Sequence, residues 1–144
     1  MYLENLTNRG ATPALINTLS FAESRHRMLA ENVANINTPG YKSKSLDVKG
    51  FQRALRAALD EKGGDADKPF VLPSHDQFRT SRFGGLTVTP TTEVAGNLLH
   101  HDGTNGSIDQ LMADLADNAM VYQAANEILK GYFGGMRKAI RGTL

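Results

Sequence analysis

The residues able to do chemistry are few, and their spacing does not bring them together. The chain has four histidines, at His26, His75, His100 and His101. His75-Asp76 and His100-His101-Asp102 offer nitrogen and carboxylate donors, but no His-Glu-x-x-His spacing or further ligand accompanies them, so the pattern assembles no zinc-type site. Ser24 and His26 are two residues apart on a helical segment and face different ways, which rules out a nucleophile–base pair between them. Cysteine is absent, excluding disulfides, thiolate metal sites and a cysteine nucleophile. The expectation is a protein that is not an enzyme, with no catalytic residue, metal, cofactor or small-molecule substrate. The patterned polar residues are instead asparagines. Asn32, Asn35 and Asn37 crowd the last turn of an apolar-periodic segment, just before Thr38-Pro39-Gly40-Tyr41-Lys42. Amides placed there can bond orphan helix carbonyls or a neighbouring chain.

Two long helices are needed to place those residues. Thr12-Pro13 reads as a helix start, with Thr12 as N-cap and proline in the first turn. Leu15, Leu19, Ala22, His26, Leu29, Val33 and Ile36 then recur at alternating steps of four and three, a heptad seam. In that seam His26 is expected as a packed core histidine. Ile16, Phe21 and Met28 lie off it, so a second side is apolar. The segment must end at Thr38-Pro39-Gly40: the residue before proline avoids the α region, proline lacks an N–H, and glycine accepts positive φ. Near the other end, Ser107-x-x-Gln110 has the form of a capping box. Beyond it, Ile108, Leu115, Tyr122, Leu129 and Met136 repeat every seven residues beside Met112, Ala119, Asn126, Phe133 and Ile140. Asn126 would set register there. Gly131, Gly134 and Gly135 would either weaken this helix or let another backbone approach.

Between the helices the pattern is weaker. Lys42–Val48 reads as extended, Gly50–Lys62 as a short amphipathic helix with Phe51, Leu55 and Leu59 on one face, ended by Gly63-Gly64, and Asp65–Pro69 as a polar linker. Short strands are predicted at Phe70–Leu72, Phe78–Thr80 and Leu86–Thr89, with a turn-rich loop at His100–Gly106. The fold class expected is mainly α: antiparallel N- and C-terminal helices in a coiled-coil-like core, with a small irregular, β-containing middle insertion. The divisions are 1–41, 42–106 and 107–144.

Composition narrows the function classes. The 144 residues carry a net charge of +1 with basic residues spread along the chain, which gives no footprint for nucleic acid. No apolar run approaches the roughly 20 residues of a membrane-spanning helix. Met1–Gly10 lacks a basic region followed by an apolar core, so no cleaved Sec signal is expected. Two helices bury little surface alone. Neighbouring copies related by rotation and rise would supply the missing contacts in an open array.

The string Arg25, Ala30-x-Asn32-x-x-Asn35-x-Asn37-Thr38-Pro39-Gly40-Tyr41-Lys42 resembles the N-terminal signature of the bacterial flagellar basal-body rod and hook family. Asp102-Gly103-Thr104-Asn105, Met112, Ala116, Asn118, Tyr122-Gln-Ala-Ala125, Leu129, Phe133 and Met136-Arg-Lys-Ala-Ile140 resemble the C-terminal region of its short, proximal-rod members. The resemblance implies a structural subunit of the periplasm-spanning rod beside the MS ring, polymerising through its terminal helices. It also implies as partners further copies of the chain, the rod proteins FlgC, FlgF and FlgG, the adaptor FliE and the ring protein FliF. Export through the flagellar type III apparatus without a cleaved signal is implied too, with Phe51-Gln-Arg-Ala-Leu55 matching an export-gate pattern that simple amphipathic packing would equally produce. Two other readings stand: a different short rod protein, FlgC-like, and a soluble cytoplasmic helical adaptor that binds one partner helix in a groove.

Overall fold

In a computed structural model of the chain, residues 10–65, 68–80, 85–92 and 104–142 are described. Helix α1 spans Thr12–Ala34, α2 Val48–Lys62 and α3 Thr104–Arg141. Strands β1 (Lys44–Ser45), β2 (Phe78–Thr80), β3 (Leu86–Val88) and β4 (Thr91–Thr92) lie between α1 and α3, with α2 following β1. β1 pairs antiparallel with β4, Lys44 opposite Thr92. β2 pairs antiparallel with β3, Phe78 opposite Val88. At about 1.5 Å per residue, α1 is roughly 34 Å long and α3 roughly 57 Å.

The terminal helices run antiparallel. Ala22 of α1 meets Asn118 of α3 and Arg25 meets Asp114, so residue numbers rise along one helix as they fall along the other. The mainly α class and the small β-containing middle are therefore as expected. Several local expectations change. Ala11 is the N-cap of α1 and makes no side-chain cap bond; Thr12 is inside the helix, with Pro13 in the first turn, where a missing N–H costs nothing. Helix α3 begins at Thr104, so Thr104–Gly106 is helical rather than loop and Ser107 does not open it. Residues 93–103 and Met1–Arg9 lie outside the described residues, and with them His100, His101 and Asp102. Phe70–Leu72 forms no strand, whereas Thr91–Thr92, which sequence did not mark, does. Gly131, Gly134 and Gly135 do not interrupt α3, and among the described residues nothing beyond the adjoining turns of the helix itself lies within 4 Å of where a Cβ on any of them would stand.

Helix α2 shows the clearest local logic. Asp47 caps it, its carboxylate accepting from the Gly50 N–H at 2.8 Å. Gly63 ends it in the left-handed region at φ 58°, a C-terminal stop open to glycine without strain. Lys62 is buried and donates to the Lys68 carbonyl at 2.7 Å, tying down the linker beyond. Phe51 faces inward, as expected, while Leu59 is exposed.

The core sits where α2 and the strands meet α1. Phe21, Phe51, Ala58, Leu72 and Phe78 form one buried cluster. The Phe21 and Phe51 rings stack with centroids 4.0 Å apart, and Phe78 stands edge-on to both, at 6.2 and 5.4 Å. Offset-stacked and edge-to-face pairs are the arrangements ring quadrupoles favour. The off-seam Phe21 and Met28 are thus the residues of α1 that the middle of the chain covers; both are buried.

Candidate assembly surface

The asparagine-rich exit of α1 is a hydrogen-bond hub. Asn32 is buried, and its amide uses both ends. Nδ2 donates to the Lys44 carbonyl at 2.8 Å, while Oδ1 accepts from the Lys44 N–H at 3.0 Å and the Tyr41 hydroxyl at 2.9 Å. A carboxylate could not donate and an alkyl group could do neither, so the position requires an amide. Asn35, the C-cap, donates from its side chain to the Glu31 carbonyl at 2.9 Å, which also accepts the Asn35 backbone N–H at 3.1 Å. Thr38, Pro39, Gly40 and Tyr41 then form a turn closed by the Tyr41 N–H on the Thr38 carbonyl at 3.1 Å. Gly40 sits at φ 77°; proline followed by a positive-φ glycine is the type II arrangement. Asn37, Pro39 and Lys42 are exposed and spend no side-chain bond inside the protomer that the structure shows, and Ala30 is exposed too. Lys44, delivered beside α1 by this corner, pairs with Glu31, and that hydrogen bond holds the Lys44 amine above its ordinary pKa of 10.5.

Gln77, which sequence reasoning missed, performs the matching task on the other side. Its Oε1 accepts from the Asp47 N–H at 2.6 Å, and its Nε2 donates to the Thr91 hydroxyl at 2.6 Å and the Ser45 carbonyl at 3.2 Å. One buried amide thereby joins β1, β4 and the N-terminus of α2. No local signal marks it, because its partners lie 14 to 32 residues away.

The α1–α3 seam is thinner than the heptads suggest. Ala22 and Leu29 are buried as expected, and Leu15, Leu19, Val33 and Ile36 are half-buried. His26 is exposed, correcting its place as a packed core histidine. On α3 the buried residues are Asn118 and Ala125, each one position before the seam residues Ala119 and Asn126. Ile108, Leu115, Ala119, Asn126, Leu129, Phe133 and Met136 are half-buried, and Met112, Tyr122 and Ile140 are exposed. The register-setting amide is Asn118, which donates to the Ala22 carbonyl at 2.8 Å. Beside it Arg25 reaches Asp114 at 3.2 Å. Small Ala22 and Ala125 let the backbones approach, so the contact axis runs through alanine and asparagine while the larger heptad side chains fall on one flank.

The proposed export-gate pair lies in the core: Phe51 is buried and Leu55 half-buried against the same cluster. Amphipathic packing therefore accounts for both in the folded chain. Among the described residues, no group of three or more His, Cys, Asp or Glu is placed to hold a metal ion. No described helix is long and apolar enough to cross a membrane.

Residues 14–42, nearly all of α1 together with its asparagine corner, match the family model described as Flagella basal body rod protein. The flagellar basal body rod protein FlgB of Bacillus subtilis is 27% identical over 134 residues, covering 92% of this chain and 95% of its own length. The chain is similar to flagellar basal body rod proteins. FlgB of Escherichia coli is 28% identical over 127 residues, covering 85% of this chain and 87% of its own length. FlgB of Aeromonas hydrophila is 28% identical over 130 residues, covering 86% and 87%. These alignments extend well past the corner, so the likeness to those rod proteins is not confined to the N-terminal motif. The motif itself has a physical role in the protomer: Asn32, Asn35 and Gly40 turn the chain from α1 into β1 in one fixed direction.

Proposed function

We propose that the chain is a structural subunit of the flagellar basal-body rod, polymerising through α1 and α3. The observation that carries this is the set of exposed apolar side chains on α3 beside a well-formed helix exit of the rod-protein type. Met112, Met120, Tyr122 and Ile128 are 54%, 60%, 42% and 58% exposed on a helix that α1 covers along one side only. Exposed apolar side chains on several faces of one long helix leave it surface to bury against neighbours. The function is mechanical: the asparagine corner fixes the angle between helix pair and middle, and the helices join neighbours. Neighbours in this reading are further copies, the rod proteins FlgC, FlgF and FlgG, the adaptor FliE and the MS-ring protein FliF. Delivery is through the flagellar type III apparatus to the periplasmic rod. Because Phe51 is buried, recognition of the Phe51–Leu55 pair by that apparatus requires the chain before folding, with α2 off α1.

The test is replacement of the gene in its flagellated host. Basal bodies purified from the host should contain the chain; recovery only from the soluble cytoplasmic fraction would favour an adaptor. Met112→Asp should leave the unfolding midpoint of the purified protein unchanged, because the side chain is solvated in the protomer, yet abolish swimming by placing a charge in an apolar contact. Normal swimming of that strain would remove α3 from the assembly surface.

A further inference from the structure

Each helix of the terminal pair has one flank its own chain leaves open, and the two flanks adjoin. Helix α1 turns Phe21 toward the middle of the chain and Ala22 toward α3. Its remaining apolar positions, Leu15, Leu19 and Val33, stay half-buried, with His26 exposed among them. On α3, Val121 lies beside Phe51, Leu55 and the rest of the α2 side, whereas Ala119 and Tyr122 lie on the opposite flank. There they border a groove of about 260 Å³ lined with Ala22, Glu23, His26, Asn118, Ala119, Tyr122 and Gln123, the Glu23 carboxylate being paired with Arg27 at 2.9 Å. The heptad repeats thus converge on the groove rather than on the α1–α3 contact itself. A channel between two antiparallel helices, flanked by heptad side chains, has the shape that seats a third helix.

The chain carries a surface that suits it. The side of α3 pointing away from α1 presents Ala116, Met120 and Ala124, all exposed, with Asp109 and Asp117 around them. No lysine or arginine occurs between Thr104 and Glu127, and neither Asp109 nor Asp117 has an ion-pair partner among the described residues. At the other end, Arg137 and Arg141 stand exposed on the groove side of α3, likewise without an ion pair among the described residues. The helix dipole favours bases in the last turn, but its influence does not reach Asp117, well beyond the first turn. We propose that the α1–α3 groove receives the outer face of the first half of α3 from a second copy of this chain, running antiparallel to the receiver's α3, with Asp109 of that copy lying toward Arg137 of the receiver. Groove and outer face are different surfaces, so the contact is heterologous and propagates as an open array; pairing of identical faces would close a dimer. This rests on the rod-subunit reading and adds which faces meet.

The absence of native cysteine makes disulfide mapping direct. Ala119→Cys marks the groove and Ala124→Cys the outer face; the two positions point to different sides of one helix and cannot bridge within it. The full chain carrying both substitutions is oxidised in host cells and, separately, as purified protein at concentrations where sedimentation shows self-association. A ladder of dimers, trimers and longer species from the double variant, with none from either single variant, is the expected result. Dimers from Ala119→Cys alone, or no ladder from a double variant that associates or supports swimming, would overturn the assignment of faces. In that second case the chain still assembles, so the rod reading survives; loss of the chain from basal bodies would instead sink the rod reading. Charge reversal supplies the independent measurement. Asp109→Lys and Arg137→Glu should each weaken self-association on the order of tenfold, and mixing the two variants should restore it as they alternate. Association of each variant alone at the unmodified strength would overturn the proposal.

Discussion

Where α1 meets the middle of the chain, three phenylalanine rings close on one another; where it meets α3, an asparagine amide and one ion pair do the joining. The first junction buries Phe21, Phe51 and Phe78 nearly completely, at 4%, 3% and 1% exposure. The second buries Ala22, Ala125 and Asn118 and leaves larger apolar groups at its margin. The difference separates two tasks. Aromatic burial holds the folded chain together, while the thin seam sets register and leaves apolar surface exposed. Satisfied buried amides support both sides: no buried side-chain nitrogen or oxygen among the described residues lacks a partner.

The largest effect should come from the aromatic junction. Phe51→Ala removes a stacked ring and leaves a cavity between α1 and α2, at a cost of about 3–5 kcal/mol. Urea unfolding should show that loss, with hydrogen exchange accelerating in α1 and α2 together. Asn118→Ala tests the thin seam and should cost about 1 kcal/mol, the size of one net hydrogen bond. Exchange should quicken in α3 while α2 keeps its protection. Equal destabilisation by the two substitutions would erase the distinction between the junctions.

The smallest effect concerns the corner itself. Glu31 holds the Lys44 amine above its ordinary pKa of 10.5, so the folded state binds that proton more tightly than the unfolded chain. The associated stability is present below the ordinary value and disappears as pH rises through the raised one. Comparing unfolding midpoints of the wild-type chain and Lys44→Met between neutral and strongly alkaline pH checks this. The wild-type advantage should vanish only at the alkaline end, and an advantage unchanged there would mean the pair contributes nothing to the corner.

Local pattern carried much of the architecture. Pro13, the Thr38-Pro39-Gly40 corner, Gly63 and the seven-residue repeats marked where helices begin, end and turn, because backbone restriction and helical periodicity act within a few residues. The same patterns placed Asn32 and Asn35 at the corner. They misplaced His26 and Asn126, since a heptad shows which stripe of a helix is apolar and not which part of that stripe its own chain will cover. Thr91–Thr92 went unmarked as a strand because two residues have no period to read, and their pairing with Lys44–Ser45 spans more than half of the described middle.

The sequence by itself determined two long amphipathic helices, a fixed exit from the first and the stop of the short one, all consequences of neighbouring backbone and side-chain geometry. Only the tertiary structure decided that Phe21 turns to the middle, that Gln77 joins three elements, and that the α1–α3 contact runs through Ala22 and Asn118. Those outcomes depend on side chains dozens of residues apart competing for the same faces of α1. That competition is settled by which surfaces pack most completely, and no local spacing records it.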